Sequence, residues 1–465
     1  MDYSLTEVMP NVPANAAPPD LSARYWRWRI FIITWVTYAG FYLCRKNISV
    51  VMPLLQQDRG YTNAQLANFV FGYSLFYTIG QFVCGLLSDR FGTRVVVGTG
   101  LFVVVGANML LGFGSSLGWL ILLACLAGAG QSTGWSGLVK TMACWFGLTE
   151  RGVVMGWWCT NYVLGGSLAT IFATFVATSV WLVPRWGWRR GFWMPALLLL
   201  VITLIYVFFV RNNPSEVGLP DVEENLVIPP SGVAVSSAST STSASRSAVR
   251  EVLSEPTLWL IGSMYFFLIL TRYAFLFWLP LYMTQHLKYS VQDAGYTSSL
   301  YELVGFLGAI VAGYASEKLF ASRRFPVGAL MLWGLALTSL ILPKLSAMGH
   351  LWNAIGISLV GIMTYGPDTL MSGAAAQDVG SKEGAATASG FIDGIGHLGM
   401  ILSPFVVAFV TAHYSWDVLF YLFVVLSLIA GAMLATRWNY TSPGAVATQV
   451  NFVKSYPPAE TDVVL

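Results

Sequence analysis

Charge is the scarcest thing in this sequence. Asp, Glu, Lys and Arg make up 10% of its 465 residues, against roughly 25% in ordinary soluble proteins. A soluble chain of this length cannot cover its surface with so few charges, so lipid must be the solvent for much of it. The formal net charge of +3 is too small for the basic face of a nucleic-acid binder. Cysteine and histidine are also rare, with five and four residues. Cys44, Cys84, Cys125, Cys144 and Cys159 lie in or beside apolar runs without the pair spacing of a metal or redox site, and read as packed, reduced thiols. No nucleophile–base constellation, metal cluster or phosphate-cradling Gly loop is evident, so neither an enzyme nor a bound cofactor or metal is expected. The N-terminal stretch 1–25 is polar and Pro/Ala-rich, with no short apolar core of a cleavable signal.

What is abundant is apolar sequence, 56% of the chain. Runs of spanning length fall at about 30–52, 65–87, 95–112, 117–141, 152–181 and 192–210, and again at about 257–284, 294–316, 326–343, 350–373, 384–411 and 417–436. The expected fold is an all-α membrane protein with twelve transmembrane helices in two six-helix bundles. Residues 26–211 and 257–437 form the bundles, 1–25 and 438–465 are tails, and 212–256 is a linker. The linker contains V-S-S-A-S-T-S-T-S-A-S-R-S (235–247), which cannot bury enough apolar area to fold alone. Loop cations concentrate on the side shared by both termini (Arg24, Arg27, Arg29, Arg90, Arg94, Arg151, Arg211 among them), with Arg59, Arg185, Arg189, Arg190, Lys288 and Lys344 opposite. That asymmetry predicts cytoplasmic termini in a multi-pass protein of the cell (inner) membrane.

The halves repeat. Gly85-x-x-x-Asp89-Arg90 is echoed by Gly313-x-x-x-Glu317-Lys318, Trp188 and Phe192 by Trp416 and Phe420, and Arg151-Gly152 by Glu383-Gly384, at a nearly constant offset. Arg45 in span one and Arg272 in span seven stand in the same relation, as do Asn161 and Asp393. Two such units facing each other place equivalent residues across a midplane cavity.

G-L-L-S-D-R-F-G-T-R (85–94) resembles the loop signature of the major facilitator superfamily. Y-A-G-F-Y-L-C-R-K-N (38–47), T-R-Y-A-F-L-F-W-L-P-L-Y (271–282), Y-E-L-V-G-F-L-G (301–308) and Y-G-P-D-T-L (365–370) resemble its organophosphate:phosphate antiporters. That family includes glycerol-3-phosphate and hexose-phosphate transporters and a related sugar-phosphate receptor. The resemblance implies that Arg45 and Arg272 bind a substrate phosphate, and that Asp89, Arg90 and Arg94, with Glu317 and Lys318 in the second half, latch a cytoplasmic gate. The sequence departs from the family where Gln81 and Asn161 replace a usual lysine and histidine, and where Phe277 replaces an aspartate.

The residues themselves support an anion site. An arginine in mid-span costs roughly 2.5–3.5 kcal/mol on insertion scales, and two occur at repeat-equivalent places. Tyr38, Tyr42 and Arg45 share one helix face at i, i+4, i+7, offering a two-donor fork flanked by phenols. The structural alternative is that each arginine snorkels or pairs with an internal acid. Lys46 points about 100° away from Arg45, at the cavity edge or toward Glu302. Glu302 is either the counter-ion of the empty site or a structural partner for Lys46 or Arg272. Asp368, Asp393 and His397 add polarity to the second half, the last two one turn apart. They read as proton-coupling groups, as acceptors for an amine, or as caps of broken helix turns.

These observations predict an alternating-access carrier, expected to be a monomer, moving a sugar or glycerol phosphate in exchange for inorganic phosphate. Arg45, Arg272, Tyr38, Tyr42, Asn161 and Lys46 would bind the substrate. Two alternatives stay open: proton-coupled transport of an organic anion or zwitterionic phosphate compound, and a transporter-like sugar-phosphate receptor.

Overall fold

The computed structural model describes residues 21–114, 116–147, 154–220, 254–321, 323–375, 379 and 385–440, without the side chains of residues 21, 86, 89, 374 and 385–387. Most of the expected linker and most of both tails lie outside the described residues, as does the side chain of Asp89.

Twelve helices run through the described chain. The first half holds α1 (Leu21–Arg59), α2 (Asn63–Phe91), α3 (Thr93–Leu111), α4 (Leu117–Trp145), α5 (Val154–Thr178) and α6 (Arg190–Phe209). The second holds α7 (Pro256–Gln285), α8 (Val291–Leu319), α9 (Arg324–Ala347), α10 (His350–Thr369), α11 (Ala385–His413) and α12 (Trp416–Ala435). Local sequence sets their ends. Thr62 and Gln65 form a reciprocal capping box at α2, Ser290 caps α8, and Pro256 sits at the start of α7, where its missing N–H costs nothing. Ten of the twelve are both long and apolar enough to cross a membrane; α1 and α10 have the length but a more polar composition. At 39 residues, α1 is about 58 Å long and extends well beyond a hydrocarbon core of about 30 Å. Its arginine-rich start therefore has room to lie outside the lipid.

The repeat reappears in the packing. In the first half α1 packs on α5, α2 on α4 and α3 on α6; in the second α7 packs on α11, α8 on α10 and α9 on α12. Close approach in the middle pair uses glycine in both halves: a Cβ on Gly128 would strike the carbonyl of Tyr73, and one on Gly361 the carbonyl of Tyr301. The halves meet through α1 with α7, α2 with α11 and α5 with α8. Exchanging each helix for its repeat equivalent reproduces these contacts, as expected for halves related by a twofold axis along the bundle. Large apolar side chains such as Phe82, Leu122, Phe208, Ile310, Leu337 and Phe409 point outward and exposed, a surface suited to lipid.

The two ends of the bundle differ. Call the end where α1 begins the base and the opposite end the top. At the top, Gln285 Nε2 donates to Gln56 Oε1 at 2.6 Å and to Asn63 Oδ1 at 2.9 Å, while Asn63 Nδ2 donates to Thr411 Oγ1 at 2.9 Å. Trp416 Nε1 holds Gln285 Oε1 from the side at 3.1 Å. These neutral amides bind the first half to the second. Every hydrogen bond or ion pair joining the halves between described residues lies at this latch or at the level of Lys46. None lies at the base.

Candidate functional site

Arg45 is buried and held by polar but uncharged groups. Its Nη2 donates to Gln131 Oε1 at 3.2 Å, and its guanidinium lies 4.7 Å from the Tyr42 ring and 4.8 Å from the Tyr77 ring. Gln131 is oriented by donating through Nε2 to the Phe41 carbonyl at 2.8 Å, immediately before α4 breaks at Ser132. The Nε of Arg45 has no hydrogen-bond partner, and no carboxylate reaches Arg45 among the described residues. Tyr38 is also buried, packed among Tyr42, Trp135 and Trp158. The face predicted from the spacing of Tyr38, Tyr42 and Arg45 is thus one continuous aromatic wall ending in a cation.

Arg272 is situated differently. Its Nη1 lies 3.1 Å from Oδ1 and 3.0 Å from Oδ2 of Asp368, and Tyr265 donates its hydroxyl to Oδ1 at 2.8 Å. Its guanidinium lies 4.8 Å from the Tyr365 ring. Asp368 stands in the last helical turn of α10, directly after Pro367, before the wider turn Leu370–Ala375. This pairing is the internal-acid alternative open for the arginine, and not one of the three readings given for Asp368.

Glu302 belongs to Lys46. The two side chains, 1% and 4% exposed, meet at 3.1 Å between Glu302 Oε2 and Lys46 Nζ, and Lys46 also donates to the Leu276 carbonyl at 3.1 Å. One lysine on α1 therefore ties the first half to both α7 and α8. Tyr365 OH stands 3.5 Å from Glu302 Oε1, a long contact. The carboxylate fits because residue 166 of α5 is glycine: a Cβ there would overlap Glu302 Oε1. Gly166→Ala should consequently displace the carboxylate from Lys46, leaving two poorly compensated buried charges. The expected outcome is a lower melting temperature in detergent; a wild-type melting curve would show that Glu302 can move aside without loss.

Asn161 on α5 is fully buried, and neither amide atom has a hydrogen-bond partner. Trp158 and Gly165 on the same face of α5 pack against Tyr38 and Ala39 of α1, which places Asn161 beside the Tyr38 end of the wall. Asp393 and His397 are partly buried. They meet through the main chain, His397 Nδ1 lying 2.6 Å from the Asp393 carbonyl, and not as a carboxylate–imidazole pair. The His397 ring is 5.8 Å from the Tyr77 ring, on which Arg45 also lies.

Of the loop charges, Arg94 and Glu317 have bonds between described residues, each within its own half. Arg94 donates through Nε to the Val207 carbonyl and through its main-chain N–H to Asn212 Oδ1, both at 2.8 Å. Arg90 is exposed, 5.3 Å from the Phe91 ring. Glu317 lies 3.8 Å from Arg324, and Lys318 is exposed.

Sequence reasoning missed Gln131, Tyr77, Tyr265 and Tyr365. Gln131 carried a legible signal, as a lone amide in the small-residue run A-C-L-A-G-A-G-Q-S-T-G (124–134). The tyrosines did not, in a chain with 21 of them.

The model of the Major Facilitator Superfamily matches residues 30–404 and again 263–455. The chain is 30% identical to a glycerol-3-phosphate transporter of Bacillus subtilis, covering 90% of this chain and 94% of that one. It is 29% identical to the membrane sensor protein UhpC of Salmonella typhimurium, covering 93% and 97%. It is also 29% identical to a probable hexose phosphate transport protein of Chlamydia pneumoniae, covering 90% and 92%. Among solved structures, a bacterial homolog of the human lysosomal transporter Spinster, inward-facing and unoccupied, shares the fold at a TM-score of 0.72 and 15% identity, over 90% of this chain and 99% of that one.

Proposed function

This chain belongs to the Major Facilitator Superfamily, and on that premise we propose that it carries an organophosphate across the membrane in exchange for inorganic phosphate. The observation that carries the reading is Arg45: a buried guanidinium with an unpartnered Nε, fixed between two phenol rings and a glutamine, with no carboxylate partner among the described residues. Such a group costs several kcal/mol to keep out of water unless an anion satisfies it, and a phosphate oxygen pair suits its planar fork. Tyr38, Tyr42 and Asn161 complete that wall, and Arg272 faces it from the equivalent place in the second half. The phosphate transporters of similar sequence support an ester as the natural cargo.

With the termini on the cytoplasmic side, as the loop cations favour, the top latch faces outward and the base faces the cytoplasm. The halves are then bonded on the outside by Gln56, Asn63, Gln285 and Thr411, and no bond between described residues joins them at the inner end. Asp89, Arg90, Arg94, Glu317 and Lys318 stand at the base, where they form the gate that closes when the latch opens. Residues 26–211 and 257–437 rock as two bodies joined by the linker.

Exchange follows from the electrostatics of the empty site. Asp368 offsets Arg272 and Glu302 offsets Lys46, so Arg45 is the cation that closure leaves uncompensated among the described residues. A bound phosphate removes that penalty, and the loaded carrier crosses faster. Radiolabelled phosphate efflux from proteoliposomes should therefore rise about tenfold when phosphate or an ester is supplied outside, a barrier difference of about 1.4 kcal/mol. Equal efflux into ligand-free buffer would replace exchange by uniport or proton coupling. The similarity to a membrane sensor protein favours a second reading, a receptor; saturable ester binding without flux in the same vesicles would select it.

A further inference from the structure

The ionisable groups of the site do not balance locally. Three cations (Arg45, Lys46, Arg272) and three carboxylates (Glu302, Asp368, Asp393) gather where the halves meet. Lys46 pairs with Glu302 and Arg272 with Asp368. Arg45 and Asp393 are left over. They do not pair with each other, and among the described residues Arg45 has no carboxylate partner and Asp393 no cation.

The leftover charges sit on opposite walls. Arg45 belongs to the first half, where the repeat equivalent of Asp393 is the neutral Asn161, buried and unpartnered at both amide atoms. Asp393 belongs to the second half, where the equivalent of Arg45 is already neutralised. Tyr265 of α7 holds Asp368 on that side through its hydroxyl. His397, one turn along α11 from Asp393, lies 5.8 Å from the ring of Tyr77, the ring on which Arg45 also lies. Across the Tyr77 ring, the α1 side therefore carries the unpaired cation and the α11 turn the unpaired carboxyl group.

We infer that Asp393 is an ammonium-binding residue, and that the preferred cargo is a phosphate monoester carrying a protonated amine, with its phosphate on Arg45 and its amine on Asp393. The inference rests on the organophosphate reading and narrows its substrate class. A plain phosphate dianion bound here satisfies Arg45 but brings like charge toward Asp393 and Asp368. An ammonium a few bonds from the phosphate reverses that: it supplies three N–H donors to acceptor-only carboxylates and cancels the second unpaired charge. Glycerol phosphate and sugar phosphates offer only hydroxyls at that end.

The test compares two esters that differ only in this group, 2-aminoethyl phosphate and 2-hydroxyethyl phosphate. Binding to the purified full chain is read by thermal stabilisation in detergent at neutral pH. The wild type should bind the amino ester with a half-saturating concentration at least tenfold lower. Asp393→Asn should bring the ratio of the two close to one, and Asp393→Glu should restore part of it. Equal binding of both esters by the wild type, or an unchanged ratio in Asp393→Asn, would overturn the inference. The wild-type comparison decides the matter even where a variant fails to fold. Phosphate self-exchange in proteoliposomes is measured separately: exchange without amine preference defeats only this inference, whereas binding of neither ester defeats the organophosphate reading itself.

Discussion

Arg45→Lys should lower phosphate exchange by at least about 100-fold while leaving the protein inserted and folded. The substitution keeps the charge, so the cost of burying a cation is unchanged to first order. What it removes is shape. The guanidinium lies against Tyr42 and Tyr77 with one nitrogen on Gln131, so its remaining donors are already oriented before a ligand arrives. A lysine offers a point charge on a mobile stem, without the parallel pair of N–H donors that matches two phosphate oxygens. Hydrogen bonds to charged groups contribute about 1.5–3 kcal/mol each. Losing the equivalent of one or two during transport raises the barrier by about 3 kcal/mol, or roughly two orders of magnitude in rate. Arg272→Lys should also impair exchange, by a different route: Asp368 would lose the guanidinium that spans both its oxygens and present stray negative charge to the substrate. Normal phosphate exchange by Arg45→Lys at wild-type expression would remove the phosphate from this wall.

The contrast between the two arginines also marks how far the sequence could be read. Apolar run length located each span to within a few residues in most cases, because lipid tolerates nothing else at that depth. The widest discrepancy is α1, which starts nine residues before its apolar run because Arg24, Arg27 and Arg29 are helical but too polar to extend that run. The recurrence of Gly85-x-x-x-Asp89-Arg90 as Gly313-x-x-x-Glu317-Lys318 anticipated the repeated helix pairings, since motifs equally spaced along two halves with the same order of spans put equivalent helices in equivalent places. Partner choice was another matter. Periodicity gives the face of a helix, and so united Tyr38, Tyr42 and Arg45, but not the depth at which two helices cross. Whether Glu302 would meet Lys46 or Arg272 depended on Gly166 letting α8 approach α5 and on the break after Pro367 setting Asp368 against α7. Neither event leaves a period in the sequence. Nor does Asp393 with His397, whose spacing correctly set them one turn apart while the bond between them runs through a carbonyl.

Breaking the Lys46–Glu302 pair from one side should destabilise the protein by about 3–5 kcal/mol, and removing both partners should recover most of that loss. Both side chains are almost wholly buried and 3.1 Å apart, so neither Lys46→Met nor Glu302→Gln leaves its partner any water to turn to. Glu302→Gln keeps the volume beside Gly166 and offers Lys46 a carbonyl oxygen in place of a carboxylate. Lys46→Met strands a carboxylate whose remaining hydrogen-bond contact among the described residues, Tyr365, stands at the long distance of 3.5 Å, and should be the more damaging of the two. In the combined Lys46→Met, Glu302→Gln variant the charges vanish together. Desolvation is then no longer uncompensated, and the coupling energy of the cycle should be at least about 2 kcal/mol. The pair lies at the level of the arginines, below the top latch, where two rocking halves move least against each other. It can therefore stay bonded through the transport cycle, and the combined variant should regain stability before it regains exchange, since Lys46 also ties α1 to the Leu276 carbonyl of α7. Thermal unfolding of the four proteins in one detergent measures the cycle. Additive losses would mean that the two charges are compensated by something other than each other, and the assignment of Glu302 to Lys46 would fall.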